Sequence, residues 1–243
     1  GFAQPEGMYV DPNRNLWVTN TNDQQVLGYH KGGLFPYKTL TDTTGYPDDV
    51  CGNRASGTLY AADIQSAPSE GFGQSIDVYA HGSAIPTKIL TDPNSEYLFF
   101  CAVDSHGNLF VSLYNQSGNY YTSGEIDEFK VGQTTPTVLI TGLYYPLGIA
   151  FDKYNSLIVA DTFAQQMYVF DPPYTEGPAT SFPFGGYIVQ IALNSAETSL
   201  WGTDGLNIYG QEFSYPGGTV QDDTSTSELY EPLGAAMSPA ARP

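Results

Sequence analysis

The sequence predicts an all-β fold of the propeller type, a ring of four-stranded blades, on three observations. One motif recurs along nearly all of the 243 residues, with its matching positions Asp11, Asn53, Asp104, Asp152, Asn194 and Ser238 lying 42, 51, 48, 42 and 44 residues apart. That period suits one propeller blade and is far too long for a heptad or a short β-helix repeat. Each repeat has room for four strands of about five or six residues, the usual make-up of a blade. The chain is also rich in Gly, Pro, Tyr and Phe and only 14% charged, which suits short strands, tight turns and aromatic packing between sheets.

The elements follow in order. The first strand of each unit reads as an apolar triplet after a Pro-x-Gly or its variant, closed by Asp or Asn: PEGMYVD (5–11), PDDVCGN (47–53), LFFCAVD (98–104), PLGIAFD (146–152) and IVQIALN (188–194). The second is an apolar run: NLWVTN (15–20), TLYAAD (58–63), NLFVSL (108–113), SLIVAD (156–161) and SLWGTD (199–204). Third strands are predicted at 25–30, 75–80, 125–130 and 166–171. Fourth strands follow a Pro at 36–41, 86–91 and 136–141. A half copy, PLGAAMS at 232–238, ends the series. The Asp or Asn after each first strand begins a turn, where a short carboxylate or amide can bond nearby backbone. Asp11, Asn53, Asp104, Asp152 and Asn194 are therefore read as structural, as are Asn20, Asp63 and Asp161.

These units resemble the NHL-repeat propellers, whose bacterial members have units of the form "PxGIAVDxxGNLYVAD…ITVY…PTKTLT". The resemblance covers nearly the whole chain and degrades around 205–230. It implies a propeller fold and says little of activity, because propellers host enzymes, binders and scaffolds alike. The blades are expected at about 5–46, 47–97, 98–145, 146–187 and 188–231, with a lone inner strand at 232–238, all in one domain. Six inner strands imply a six-bladed ring with an incomplete closing blade; a five-bladed ring is the alternative. An unfinished blade would leave apolar faces and strand edges open to self-association. It is expected of a trimmed fragment or of a ring completed by another chain.

Eight Lys plus Arg against 26 Asp plus Glu give a net charge of −18. Such a surface repels nucleic acid and anionic lipid and attracts cations and basic proteins; solubility is the plainer reading. No run approaches the length of a membrane helix, so no membrane insertion is expected. No basic, apolar leader opens the chain, as expected of a processed or trimmed product or of a cytosolic one.

One residue per blade converges on the axial channel of a propeller, the default ligand site. The position after the leading Pro gives Glu6, Asp48, Phe99, Leu147, Val189 and Leu233. The next gives Gly7, Asp49, Phe100, Gly148, Gln190 and Gly234. Glu6, Asp48 and Asp49 are thus expected at one channel mouth, where close carboxylates repel unless they share a proton or a cation such as calcium. Gln190 is a candidate ligand-binding residue on the channel. PEGMYVD also resembles the segments supplying metal-binding acids in gluconolactonase (regucalcin-like) six-bladed propellers, where Glu6 and Asp48 would match ligands. Those enzymes draw asparagines from other blades; Phe99, Leu147, Val189 and Leu233 stand in those places here.

His30 and His81 end third strands and His106 sits in a turn; none has the spacing of a zinc motif. No nucleophile elbow, P-loop or dinucleotide fingerprint occurs in its required context. Cys51 and Cys101 fall one position out of phase on neighbouring inner strands, so a disulfide or two buried thiols are both open. A bridge would favour an oxidising compartment. Insertions at 64–74 and 114–124 are expected on one side of the ring. The second offers Tyr114, Tyr120 and Tyr121 as a recognition face, or simply a longer hairpin. Asn115-Gln116-Ser117 also fits a glycosylation sequon.

The reading that follows is a non-catalytic binding or scaffold propeller, secreted or periplasmic, for a protein, small-molecule or glycan ligand. A metal-dependent hydrolase or lyase at the channel mouth, with calcium, is the alternative. A structural subunit of an extracellular assembly is the third.

Overall fold

The structure, a computed structural model, describes residues 2–64, 74–93, 97–117, 120–207, 209–223 and 233–237. Twenty strands form five antiparallel sheets of four, each numbered outward from the axis. Blade 1 contains β1 (Pro5–Val10), β2 (Leu16–Asn20), β3 (Gln25–Tyr29) and β4 (Lys38–Thr41). Blade 2 contains β5 (Tyr46–Gly52), β6 (Leu59–Ile64), β7 (Ser75–Tyr79) and β8 (Lys88–Thr91). In blade 3 are β9 (Tyr97–Val103), β10 (Leu109–Ser117), β11 (Tyr120–Phe129) and β12 (Thr137–Leu143). Blade 4 is β13 (Pro146–Phe151), β14 (Leu157–Asp161), β15 (Gln166–Phe170) and β16 (Thr180–Pro183). Blade 5 is β17 (Ile188–Leu193), β18 (Ser199–Asp204), β19 (Tyr209–Ser214) and β20 (Val220–Asp223). No described helix is long and apolar enough to cross a membrane.

The recurrent Asp or Asn after each inner strand makes the same turn in every blade. Its side-chain oxygen accepts backbone N–H groups from the following residues: Asn15 to Asp11, Asn108 to Asp104, Ser156 to Asp152 and Thr198 to Asn194, all at 2.8–2.9 Å. Asn53 does the same for Ala55 and Ser56. A local bond of this kind lets a sharp turn form without leaving amides unpaired.

Apolar side chains from facing sheets fill the spaces between blades. Trp17, Val26, Leu40, Val50 and Tyr79 lie between blades 1 and 2. Ile76, Leu98, Leu109 and Leu113 lie between blades 2 and 3. Phe110, Ile126, Leu157 and Val159 join blades 3 and 4, and Met167, Ile188, Leu200 and Phe213 join 4 and 5. Each such side chain contributes roughly 1.5–3 kcal/mol on burial. Cys51 and Cys101, with Cα atoms 5.8 Å apart, are disulfide-bonded and tie β5 to β9.

Every inner strand bulges at the residues after its leading position, as between Pro5 and Met8 or Pro146 and Ile149. A bulge frees an N–H group, and second-strand hydroxyls take it up in blades 1, 3 and 5. Gly7, Phe100 and Gln190 donate to Thr19, Ser112 and Thr203 Oγ at 2.8, 3.2 and 3.2 Å. The hydroxyls also reach the neighbouring inner strand: Thr19 to the Asp48 carbonyl and Ser112 to that of Leu147. Thr203 makes the corresponding bond to the carbonyl of Leu233 at 3.1 Å.

The ring has five blades, which corrects the expected six. The expected sixth inner strand, 232–238, is an extended segment over its described residues 233–237 and forms no strand. The reason is physical: among the described residues no second strand lies beside it to complete a ladder. It nevertheless occupies an inner-strand place between blades 5 and 1. Thr203 bonds to it as Thr19 and Ser112 bond to real strands. A Cβ on Gly234 would collide with the Glu6 carbonyl, just as one on Gly7 would lie 2.5 Å from Asp49 Cα. The absence of a side chain is what lets each pass its neighbour.

Gln190 completes this seam. Its Oε1 accepts from the backbone N–H of Met8 and of Ala235, and its Nε2 donates to the Met8 carbonyl (3.2 Å) and to Asp49 Oδ1 (2.7 Å). Replacing Gln190 by Ala strips both Met8 groups of their partner and is expected to cost roughly 1–3 kcal/mol in urea unfolding. Gly7→Ala is expected to lose a similar amount, roughly 1–3 kcal/mol, by forcing β1 from β5. Gly177→Ala, whose added Cβ meets nothing within 4 Å, should unfold at the wild-type midpoint.

Candidate functional site

A cavity of about 170 Å³ opens at the end of the axis where the inner strands begin. All six residues from the position after each leading residue line it: Glu6, Asp48, Phe99, Leu147, Val189 and Leu233. Phe100, Tyr145 and Tyr187 complete the wall. Among the described residues Glu6 and Asp48 are its charged side chains. Asp48 is 7% exposed, and its carboxyl stands against that of Glu6. Burial, first, and then Glu6 push the Asp48 carboxyl well above the ordinary aspartate range.

Asp49, expected beside them, turns the other way because successive side chains on a strand alternate. Asp49 Oδ2 accepts from the Cys101 N–H at 3.0 Å and Oδ1 from Gln190. It therefore joins blades 2, 3 and 5 beneath Gly7 of blade 1. Burial raises its pKa to about 8, against the opposing pull of the Cys101 and Val50 amides. Gln190 lies on the other side of this septum. All of its amide donors and acceptors are engaged in closing the ring, so the structure gives it a positioning role where a ligand contact was expected.

Tyr114 of β10 packs behind Phe99 and Tyr145 of the cavity wall. It is buried and stacks on Tyr97 (4.8 Å) and Phe99 (5.1 Å), with Tyr145 at 4.7 Å. Tyr145 stacks in turn on Phe163 at 4.3 Å, and Phe163 lies 5.9 Å from Tyr187. An aromatic arc thus runs from blade 3 to blade 5, with Phe163 and Tyr144 exposed at its crest. Tyr120 and Tyr121 belong to β11, a continuation of the long β10–β11 hairpin; their side chains lie outside the described residues. So does most of the 64–74 insertion. Asn115 of the sequon is in β10, its amide 3.5 Å from Glu125.

The sequence held a signal for the arc. The residue before each leading position is Tyr46, Tyr97, Tyr145 or Tyr187 in blades 2 to 5, with Gln4 in blade 1. The histidines stand at the opposite end. His30 stacks on Tyr37 at 3.8 Å, and His106 is an exposed neighbour of Asp104. A larger cavity of about 630 Å³ opens there, with the disulfide, Asn53, Arg54, Asp152, Lys153 and Glu197 among its walls.

A second acidic group lies off the axis. Asp63, read from sequence as a turn residue, meets Asp42 and Asp77 between blades 1 and 2, all three buried. Burial and Asp42 raise the Asp63 pKa well above the usual value, and burial raises that of Asp77 to about 6. At the next interface Asp127 is raised to about 8 by burial and by Asp92.

Comparison with known proteins agrees with the fold. The NHL repeat family model matches residues 2–29, which span β1 to β3. No curated protein matches the chain. More than a thousand solved chains do. One, in the crystal structure of a nidogen/laminin complex, superposes with a TM-score of 0.75 at 16% identity, covering 96% of this chain and 84% of that one. Another, the Kuenenia stuttgartiensis hydrazine synthase, gives 0.71 at 12% identity, covering 97% and 78%. Identities this low establish the propeller fold alone.

Buried acids that keep protons in the folded state set a pH dependence. Between the unfolded carboxylate range near 4 and the folded values of about 6 to 8, the native chain binds more protons than the unfolded one. Their stabilisation is full below that window and is lost as pH rises through it. Unfolding free energy, measured in urea with chelator present, should therefore fall from pH about 5 to about 8, and Asp49→Asn should flatten the slope. A stability that rises across this window would contradict the assignment.

Proposed function

We propose that this β-propeller, whose first blade carries an NHL repeat, is a non-catalytic, exported binding module that takes a basic segment of a partner protein at its acidic, aromatic-walled mouth. The observation that carries the reading is the Glu6–Asp48 carboxyl pair set in a cavity otherwise walled by Phe, Tyr, Leu and Val. A Lys or Arg side chain arriving there would meet two carboxyl groups and aromatic faces that favour a cation. The net charge of −18 would speed the encounter of a basic partner and make it salt-sensitive. The neighbouring propeller in the nidogen/laminin complex is consistent with this class of role. The Cys51–Cys101 bridge supports an oxidising, extracytoplasmic site of action. A glycan or small molecule stacking on the exposed end of the arc is the other ligand class that these walls suit.

Calcium at the mouth has weaker support, because Asp49 faces away and leaves two carboxylates where that ion takes six to eight oxygens. One observation favours a second reading, a hydrolase: Asp48, whose carboxyl is pushed well above the ordinary range, stands beside a second acid, Glu6, as the members of an acid–base couple do.

Calorimetric titration with a synthetic Lys/Arg peptide tests the first reading, with an acidic peptide as control. Saturable binding that weakens about tenfold or more in Glu6→Gln/Asp48→Asn, and weakens with added salt, is the expected result. An indifferent basic peptide would remove this reading. Lactone or ester hydrolysis that disappears in Asp48→Asn would put the second in its place.

A further inference from the structure

Blades 1 and 2 meet at the 42–45 connection, where Asp42, Asp63 of β6 and Asp77 of β7 converge. One oxygen from each lies within 4.8 Å of the others, and none of the three residues is more than 4% exposed. The hydrogen-bond donors around them fall short. Asp42 Oδ1 accepts from the Thr44 and Gly45 N–H groups at 3.0 and 2.9 Å. Asp63 Oδ2 is 2.7 Å from Ser75 Oγ and 2.9 Å from Thr44 Oγ1. Asp77 Oδ1 is 2.8 Å from the same Thr44 Oγ1. Asp77 Oδ2 takes the Thr43 N–H at 3.2 Å and lies 3.4 Å from the Tyr79 hydroxyl. That hydroxyl has a closer acceptor in the Thr41 carbonyl at 3.0 Å. The Thr44 hydroxyl owns one proton and cannot serve both Asp63 and Asp77.

Two oxygens are left over. Asp42 Oδ2 and Asp63 Oδ1 are fully buried and no N–H or hydroxyl group reaches either; what acts on Asp63 there is the Asp42 carboxyl itself. Every charged group acting on Asp63 and Asp77 is another carboxylate. Buried carboxylate oxygens without donors are costly unless positive charge joins them. Calcium–oxygen bonds of about 2.4 Å keep any two ligand oxygens within about 4.8 Å of each other, a limit that these three oxygens meet.

We propose that this interface is a site for a hard divalent cation of the calcium class, liganded by Asp42, Asp63 and Asp77. The Thr44 and Ser75 hydroxyls stand within reach as further oxygens. The cation would join the end of blade 1 to two strands of blade 2. The next interface supplies an internal comparison, because a shift of 50 residues carries Asp42 to Asp92, Asp77 to Asp127 and Asp63 to Leu113. With Leu113 in the third place, Glu125 is the further acid acting on Asp92 and Asp127, and among the described residues these three do not converge as Asp42, Asp63 and Asp77 do.

The test uses the whole chain refolded with calcium or with chelator, then titrated with terbium. Tyr79, adjoining Asp77, is positioned to sensitise terbium emission. Calcium is expected to raise the melting temperature by linkage, and terbium emission under tyrosine excitation is expected to saturate and be competed by calcium. Both effects should fall about tenfold or more in affinity in Asp63→Asn and in Asp42→Asn, each checked for folding by circular dichroism. Both should persist in Asp127→Asn and in Glu6→Gln/Asp48→Asn. Equal melting with calcium and chelator, with no terbium emission, would assign the cluster to a shared proton and overturn the proposal. So would binding that survives Asp63→Asn and Asp42→Asn but is lost in the Glu6/Asp48 variant.

Discussion

The ring depends on a contact that is polar where the others are oily. Four blade interfaces are filled by buried apolar clusters, but the junction of blades 5 and 1 is bridged by the Gln190 amide and by the 233–237 segment to which Thr203 bonds. Gln190 pairs with both backbone groups of Met8 much as a neighbouring strand would, and adds Asp49 and the 233–237 segment. A side-chain amide serves because the bulge in β17 turns residue 190 across the seam. The arrangement has a strict geometry, since every donor and acceptor on Gln190 is used. Asp49 can cross the axis only because residue 7 is glycine. Closure, septum and cavity shape therefore share a few residues near the axis.

The same septum explains the division of chemistry between the two ends. Alternation along β5 sends Asp48 to the mouth and Asp49 inward. One aspartate is left with an acidic neighbour and aromatic walls; the next is bonded by amides from two other blades. A chain with so many acids could have left them all in water. Instead several are buried, at the axis and between blades 1, 2 and 3, where each favours a proton or a cation. The surface charge and the buried acids thus point toward positively charged partners by separate routes.

Much of this was legible because a propeller repeats. The turn residues, the inner strands and the six positions lining the mouth follow from aligning Asp11 with its counterparts. The blade count was not legible, because PLGAAMS has the sequence of an inner strand and the missing quantity was a partner for it. Sequence can show that a segment suits a ladder, but not that no second strand stands beside it. Asp63 was read as a turn residue because Asn20 and Asp161 occupy its place. Those two accept backbone amides, from Ala3 and from Tyr144 and Tyr145. Asp63 instead meets the hydroxyls of Thr44 and Ser75 and the acids of β7 and of the 42–45 connection, a convergence that needs the third dimension. The tyrosines before each leading position were periodic all along, but periodicity alone does not separate a packing residue from one that walls a cavity.

The off-axis acids and the mouth are also joined by chain. Asp42 follows β4 and Asp48 lies within β5, with Thr43 to Pro47 between them. Thr44 is the hinge of this connection: its hydroxyl adjoins Asp63 and Asp77, while the Gly45 carbonyl is held by Gln24 at 3.0 Å. Whatever positive charge settles the interface cluster must also fix the path by which the chain enters β5. Asp48 follows within a few residues, so its height against Glu6 depends on that path. A cation between the blades would then act on the mouth without touching it, by setting where one of its two acids stands.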